Sequence, residues 1–131
     1  MTIRLMIIDD SAAIRGVYAR MLDDQANIKI VASIGDPKDA IKQIPGIKPD
    51  VVTLDVEMPG LSGLEALQEI RKIAPATKVV MLSTLTQRGS KTSLEAERLG
   101  ASALLQKPGL GMNPVEFKRI FCAKLAELTR A

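Results

Sequence analysis

The fold is indicated most directly by one stretch of the chain, DVVTLDVEMPGLSGLEALQEIRKI, residues 50–73. Its first part, DVVTLD (50–55), is a short apolar run, typical of a strand that is covered on both faces. A Met-Pro-Gly turn follows, and the segment 62–73 then opens with Ser62 in the spacing of a helix capping box. The stretch therefore predicts a strand–turn–helix unit whose strand ends on a carboxylate, Asp55.

The same kind of unit repeats along the chain. Further strands are predicted at IRLMII (3–8), IKIVAS (28–33), KVVMLS (78–83) and SALLQK (102–107). Helical patterns cover residues 11–24, 36–44, 89–100 and 113–130. Asp36 and Asn113 each precede a proline as expected N-caps, and Gly100 is an expected C-cap. Short strands joined by helices predict a doubly wound α/β fold with a five-stranded parallel sheet, as a single domain over residues 1–131.

Composition excludes several classes of function. Aromatic residues make up only 2% of the chain, and its net charge of +3 is scattered, so a nucleic-acid platform is not expected. The absence of histidine removes His-based triads, His metal sites and His general bases. A single cysteine, Cys122, fits a reducing compartment, and the sequence shows no secretory signal and no apolar run long enough for a membrane helix. We therefore expect a cytoplasmic protein with no membrane partner.

Polar side chains gather where the predicted strands end. Strand one ends in Asp9-Asp10, strand three in Asp55, strand four in Ser83-Thr84 and strand five in Lys107-Pro108. Because function in open parallel sheets collects at the carboxyl ends of strands, we expect these groups to converge. Crowded carboxylates repel, and either Lys107 or a hard divalent cation relieves the repulsion. Oxygen-only ligands favour Mg²⁺, with Mn²⁺ as the alternative, and a carboxylate beside such an ion can form an acyl phosphate.

These motifs resemble those of response-regulator receiver domains over essentially the whole chain. The residues that carry the resemblance are IIDDSAAIR, LDVEMPGLSGLE, MLSTLT, LGA and QKPG. The resemblance implies a flavodoxin-like strand order of 2-1-3-4-5 and phosphorylation of Asp55 by a histidine kinase. It implies that Asp9, Asp10, Asp55 and the backbone carbonyl of Glu57 bind Mg²⁺. It also implies that Ser83 senses the phosphoryl group and that Lys107 pairs with it, before a cis bond to Pro108.

Within that family, the motifs DDSAAIR, DVEMPGLSGLE, STLT and KPGLG are most similar to the receiver of chemotaxis methylesterases. The chain is therefore expected either to stand alone in chemotaxis-type signalling or to be the regulatory part of a methylesterase. The resemblance places the output surface on the fourth helix, fifth strand and fifth helix, which an output protein or domain would contact. A transient homodimer is a further expectation.

Two observations qualify this interpretation. Many receivers carry an aromatic residue three positions before the lysine, where this chain has Leu104, so an aromatic switch at that position is not expected. A small aspartyl-phosphate phosphatase is the competing enzyme class, since Glu57 lies two residues after Asp55. It is disfavoured because Glu replaces the usual Asp and no cap insertion is present, so enzymatic activity beyond self-phosphorylation and self-dephosphorylation is not expected.

Overall fold

Strands and helices alternate along the whole molecule. The structure, a computed structural model, describes residues 2–56, 61–83, 91–107 and 113–130, and of residues 91–93 it describes the backbone alone. Within these ranges the strands are β1 (Ile3–Ile8), β2 (Ile28–Ile34), β3 (Val51–Asp55), β4 (Lys78–Ser83) and β5 (Ala103–Gln106). The helices are α1 (Ala12–Leu22), α2 (Pro37–Ile47), α3 (Gly63–Ile73), α4 (Lys91–Arg98) and α5 (Pro114–Leu128).

The five strands form one parallel sheet in the order β2-β1-β3-β4-β5. The predicted fold class and strand order are thereby confirmed. β1 and β3 lie at the centre, and their register pairs Ile7 with Thr53 and Ile8 with Leu54. This register brings the carboxyl ends of the two central strands level with each other, and Asp9 and Asp55 lie at those ends.

Each face of the sheet is covered by its own apolar layer, as the apolar strand sequences predicted. Side chains alternate between the faces along a strand. The face toward α2, α3 and α4 carries Met6, Ile8, Val52, Leu54, Val79 and Met81. The face toward α1 and α5 carries Leu5, Ile7, Val51, Val80 and Leu82, which pack with Tyr18, Leu22, Phe117, Phe121 and Leu125.

The helices begin where the sequence placed their caps. Side-chain oxygens of Asp36, Ser62 and Asn113 accept hydrogen bonds from the first turns of α2, α3 and α5. Gly100 has a φ of 99° just beyond α4, as a helix-terminating glycine requires. These local signals act within a few residues, which is why they could be interpreted correctly without tertiary information.

The predicted end of α2 at residue 44 is wrong. The helix continues through Pro45 to Ile47 and ends at Lys48, whose φ is 53° and whose N–H donates to the carbonyl of Ile44 at 2.8 Å. A proline removes one helical donor, but Pro45 is exposed in the last turn. The helix therefore continues past a single missing bond, and the left-handed residue at Lys48 closes it.

In the part of the chain that the structure describes, no helix has the length and apolarity needed to cross a membrane.

Candidate functional site: an acid cluster at the carboxyl end of the sheet

Three carboxylates meet at the carboxyl ends of the two central strands. Asp9 and Asp10 follow β1 directly, and Asp55 is the last residue of β3. One carboxylate oxygen from each of the three residues lies within 4.8 Å of the others. Asp9 and Asp55 are only 1% and 2% exposed, whereas Asp10 is exposed. The structure therefore brings together the acids that the sequence predicted to converge.

The ammonium group of Lys107 lies between the two buried acids. Its Nζ is 2.7 Å from Oδ2 of Asp55 and 3.4 Å from Oδ2 of Asp9. The Lys107 backbone N–H donates to the carbonyl of Ser83 at 2.8 Å, which fixes the lysine beside the end of β4. Among the side chains that the structure describes, three carboxylates thus face one ammonium, and this set keeps a formal negative charge that favours a cation.

Two opposing effects act on the pKa of Lys107. Burial by itself lowers the pKa, but the hydrogen bond that Lys107 donates to Asp55 and the charges of Asp55 and Asp9 outweigh burial and raise it above the usual range for lysine. The ammonium therefore stays protonated at neutral pH and partly compensates the two buried carboxylates.

The start of α1 holds Asp9 in place. Oδ1 of Asp9 accepts a hydrogen bond from the backbone N–H of Ser11 at 2.9 Å, and the Ser11 hydroxyl caps α1 by accepting from Ile14 N–H at 3.2 Å. The N-terminal end of α1 thus lies beside this carboxylate. Oδ2 of Asp9 is buried, and its contact with the Lys107 ammonium is long at 3.4 Å, so this oxygen keeps a lone pair for a further cation.

A glycine that the sequence analysis did not single out shapes the other side of the site. Gly63 begins α3, and its N–H donates to the carbonyl of Val56 at 3.2 Å. A Cβ at this position would lie 2.6 Å from the Cα of Val56 and closer still to the carbonyl oxygen of Asp55. Only glycine therefore lets α3 approach the end of β3 this closely. The sequence held a signal for it in a glycine directly after a helix cap.

The remaining predicted residues are only partly described. Ser83 ends β4, is buried, and lies beside Lys107 through its carbonyl. Leu104 lies in β5 opposite Met81 and packs on the α2–α3–α4 side of the sheet. The predicted roles of Glu57, Thr84 and the Lys107–Pro108 bond fall on or next to residues outside the described ranges.

The donor set fits a hard divalent cation. The clustered ligand atoms are carboxylate oxygens, with no histidine in the chain and no cysteine among them. Oxygen donors of this kind match the preference of Mg²⁺ and Mn²⁺, and do not suit zinc or copper. The buried Asp9 oxygen without a hydrogen bond is consistent with such a ligand.

Comparison with known proteins agrees with this geometry. Residues 5–113 match the response regulator receiver domain family, and the chain belongs to that family. It is 40% identical to a protein-glutamate methylesterase/protein-glutamine glutaminase of Paramagnetospirillum magneticum, over 99% of this chain and 35% of that protein. Identity to the corresponding Thermotoga maritima protein is 39%, over 98% of this chain and 37% of that protein. The chain thus spans about a third of the length of these relatives.

A solved structure shares the whole architecture. The response regulator domain of Thermotoga maritima CheB superimposes with a TM-score of 0.90 at 34% identity, covering 100% of this chain and 98% of that one. The similarity to methylesterase receivers that the motifs indicated is therefore confirmed.

Proposed function

We propose that this chain is a phosphorylation-controlled switch in which Asp55 accepts a phosphoryl group from a histidine kinase. The observation that carries the proposal is the position of Asp55, buried at the end of β3 with the Lys107 ammonium at 2.7 Å and two further acids beside it. In a receiver domain this arrangement offers a carboxylate nucleophile together with a positive charge for the incoming phosphoryl oxygens.

The transfer requires few protein groups. An oxygen of the Asp55 carboxylate attacks phosphorus, the P–N bond of the phosphohistidine breaks, and its electron pair stays on the imidazole nitrogen, which takes up a proton. The Lys107 ammonium, released from Asp55, then pairs with a phosphoryl oxygen. The Ser83 hydroxyl donates a hydrogen bond to another. In self-dephosphorylation, water attacks phosphorus, inorganic phosphate leaves, and the carboxylate of Asp55 is restored.

A divalent cation completes the proposed site. Asp9, Asp10, Asp55 and the Glu57 carbonyl would hold Mg²⁺, or Mn²⁺ in its place. When bound, the cation neutralises charge on the acids and on the phosphoryl oxygens, which lowers the barrier to bringing two anions together. Asp9, the buried member of the acid pair, is oriented by Ser11, whereas Asp10 is exposed and reaches the site from solvent.

The proposed output surface consists of α4, β5 and α5. Two large apolar side chains are exposed on its helices, Leu94 on α4 at 57% and Val115 on α5 at 75%. A phosphoryl group adds about −1.5 to −2 charges, and this change must reach the surface through an element with two arrangements. Because Leu104 stands where many receivers have an aromatic residue, we propose that the signal passes mainly through Ser83 and the segment that follows it.

The output proposed for this switch is a methylesterase-type catalytic domain in chemotaxis signalling. The relatives that support it are methylesterases about three times the length of this chain. A free-standing receiver that acts on a separate protein, or that forms a transient homodimer through the same surface, remains the alternative. In either case we expect the protein to act in the cytoplasm.

The direct test replaces the acceptor. Incubation with a small phosphodonor and Mg²⁺ should add one phosphoryl group to the protein, and Asp55→Asn should add none because the amide is not a nucleophile. Intact-protein mass spectrometry measures the added mass. Asp39→Asn, which removes an exposed acid in α2, is the matched control and should be phosphorylated like the wild type. Undiminished labelling of Asp55→Asn would place the acceptor elsewhere.

A second arm tests the class of activity. Asp10→Ala should weaken Mg²⁺ binding and slow labelling. Steady turnover of a phosphomonoester by the wild type would instead favour the aspartyl-phosphate phosphatase.

A further inference from the structure

The aromatic residues of the chain form one cluster. The sequence holds one tyrosine, two phenylalanines and no tryptophan. Tyr18 of α1 stacks on Phe117 and Phe121 of α5, with ring centroids 6.1 and 6.4 Å apart, and the two phenylalanine rings are 5.6 Å apart. This cluster lies on the α1–α5 face of the sheet, away from Leu104. Two of the rings need only apolar surroundings, but the third brings a hydroxyl into the core.

The Tyr18 hydroxyl is buried and has no hydrogen-bond partner. Oγ1 of Thr53 is likewise buried without a hydrogen bond, and the buried Oδ2 of Asp9 has the Lys107 ammonium as its ion-pair partner at 3.4 Å. Buried polar groups in folded proteins are almost always paired with protein or with ordered water. Two unpaired hydroxyls, and a carboxylate oxygen that can accept more than its long contact with Lys107, therefore call for a common partner.

Two of these oxygens, those of Thr53 and Asp9, lie on one face and at one end of the sheet. Thr53 lies on the same side of β3 as Val51, and Asp9 follows Ile7 by two residues on the neighbouring strand. Thr53 pairs with Ile7, so Thr53 and Asp9 are diagonal neighbours across the two central strands.

Tyr18 approaches the same place from α1. Side chains of a helix lean toward its N-terminus, and α1 begins directly after the acid pair, so the Tyr18 ring is directed back toward the acids. The pKa of Tyr18 is raised above its usual range, first by burial and then by the charges of Asp9 and Asp55, which agrees with a hydroxyl beneath the carboxylates.

We propose that Tyr18 is a positioning residue of the acid site, whose hydroxyl and that of Thr53 hold a buried water against Oδ2 of Asp9. Ser11 fixes the other oxygen of the same carboxylate at 2.9 Å. Asp9 is then oriented at both oxygens before a cation arrives, so less reordering accompanies cation binding. The role of Tyr18 in cation binding rests on the proposed Mg²⁺-dependent function, whereas the presence of the buried water does not.

The test removes each hydroxyl without changing the shape of the side chain. In Tyr18→Phe the Mg²⁺ concentration at half-saturation should rise about 3- to 10-fold, because outer groups that orient ligands commonly have effects of this order or larger. Amide shifts of Asp10 and Ser11 during a Mg²⁺ titration measure it by NMR. Labelling of Asp55 at saturating Mg²⁺ should stay within about twofold of the wild type. Thr53→Val should act in the same direction, and the double variant should be no worse than the stronger single one.

Phe121→Leu is the matched control. It removes a ring from the same cluster but no hydroxyl, so it should lower the melting temperature and leave the Mg²⁺ midpoint unchanged. Tyr18→Phe should show the opposite pattern, with a melting temperature no lower than that of the wild type. If the Mg²⁺ midpoint of Tyr18→Phe equals that of the wild type, the positioning role is wrong.

A high-resolution crystal structure gives a readout that does not depend on phosphorylation. An ordered water should contact Tyr18 and Asp9 in the wild type and be lost or displaced in Tyr18→Phe. A dry site in the wild type would overturn the inference even if Asp55 is phosphorylated as proposed. Conversely, a wild type that holds this water but shows no response to Mg²⁺ would overturn the proposed metal dependence, and with it the role of Tyr18 in metal binding.

Discussion

Charged side chains at the two ends of the sheet differ in burial and in their partners. At the carboxyl end, Asp9 and Asp55 are buried and share the single ammonium of Lys107. At the amino end, the carboxylate of Asp50 accepts the backbone N–H of Arg4 at 2.9 Å, and the Arg4 guanidinium donates to the carbonyl of Ile47 at 2.7 Å. These charges at the amino end are thus matched to backbone groups, whereas two buried carboxylates lie together beside Lys107 at the carboxyl end.

The position of the cavity does not coincide with the acid site. A cavity of about 720 Å³ lies at the amino end and contains none of the acid-site residues. Its lining is mainly apolar and rich in proline, and includes Ile44, Pro45, Pro49, Ile73, Pro75 and Leu128. The difference teaches that the candidate site is marked by buried like charges close together and not by the size of a cleft. The proposed reaction requires the acid site to admit only a cation and a phosphoryl group.

Among the changes that test this comparison, a substitution of Gly63 should have the largest effect on the free energy of unfolding. Gly63→Ala should lower the free energy of unfolding by about 3 kcal/mol or more, because the new Cβ meets fixed backbone at Asp55 and Val56. Gly46→Ala, in the last turn of α2 at the amino end, meets nothing within 4 Å and should raise it by roughly 0.5 kcal/mol. Urea unfolding of both variants measures the contrast. A mild effect at Gly63 would show that α3 can move away from β3.

A smaller effect on stability is expected when either of two acids, one at each end of the sheet, is replaced by its isosteric amide. Asp9→Asn should raise the free energy of unfolding by about 1 kcal/mol, since it removes one of two like charges that share Lys107. Asp50→Asn should lower it by roughly 0.5–1 kcal/mol, because a charge-assisted hydrogen bond to Arg4 becomes a neutral one. Thermal and urea unfolding at low salt check both values. Two changes of the same sign would remove the proposed difference between the ends.

The smallest effect expected is confined to alkaline pH. The folded state raises the pKa of Lys107 and of Tyr18, so both groups hold their protons more tightly than in the unfolded chain. Their contribution is present in full below about pH 10 and is lost as the pH rises through the folded-state values, because the unfolded chain releases protons first. Unfolding followed against pH should therefore show stability falling above about pH 10.

Tyr18→Phe isolates one of the two groups. Its alkaline loss of stability should be shallower than that of the wild type, since only Lys107 then contributes at the acid site. Curves of equal steepness would mean that the pKa of the Tyr18 hydroxyl is not raised in the folded state.

Local sequence signals were sufficient for much of the fold. The caps at Asp36, Ser62 and Asn113 and the apolar strands depend on neighbouring residues, so they could be predicted before any tertiary contact was known. The end of α2 could not be predicted in this way, because the low helix propensity of proline suggests an earlier end. The helix tolerates Pro45 because this residue lies exposed in the last turn.

For the site, the sequence by itself determined which residues lie at the strand ends. Strand alternation and the rule that parallel strands end at one edge bring Asp9, Asp10, Asp55 and Lys107 together in any correct fold. The resemblance to receivers added their expected roles, and the family match agrees with that class of protein.

Only the tertiary structure decided how those groups are paired. Lys107 lies at 2.7 Å from Asp55 and 3.4 Å from Asp9 because the register of β3, β4 and β5 sets the position of its backbone beside Ser83. The close approach at Gly63 and the unpaired Tyr18 hydroxyl likewise depend on how α3 and α1 pack on the sheet. Such distances arise between residues far apart in the chain, and no local pattern encodes differences of a few tenths of an ångström.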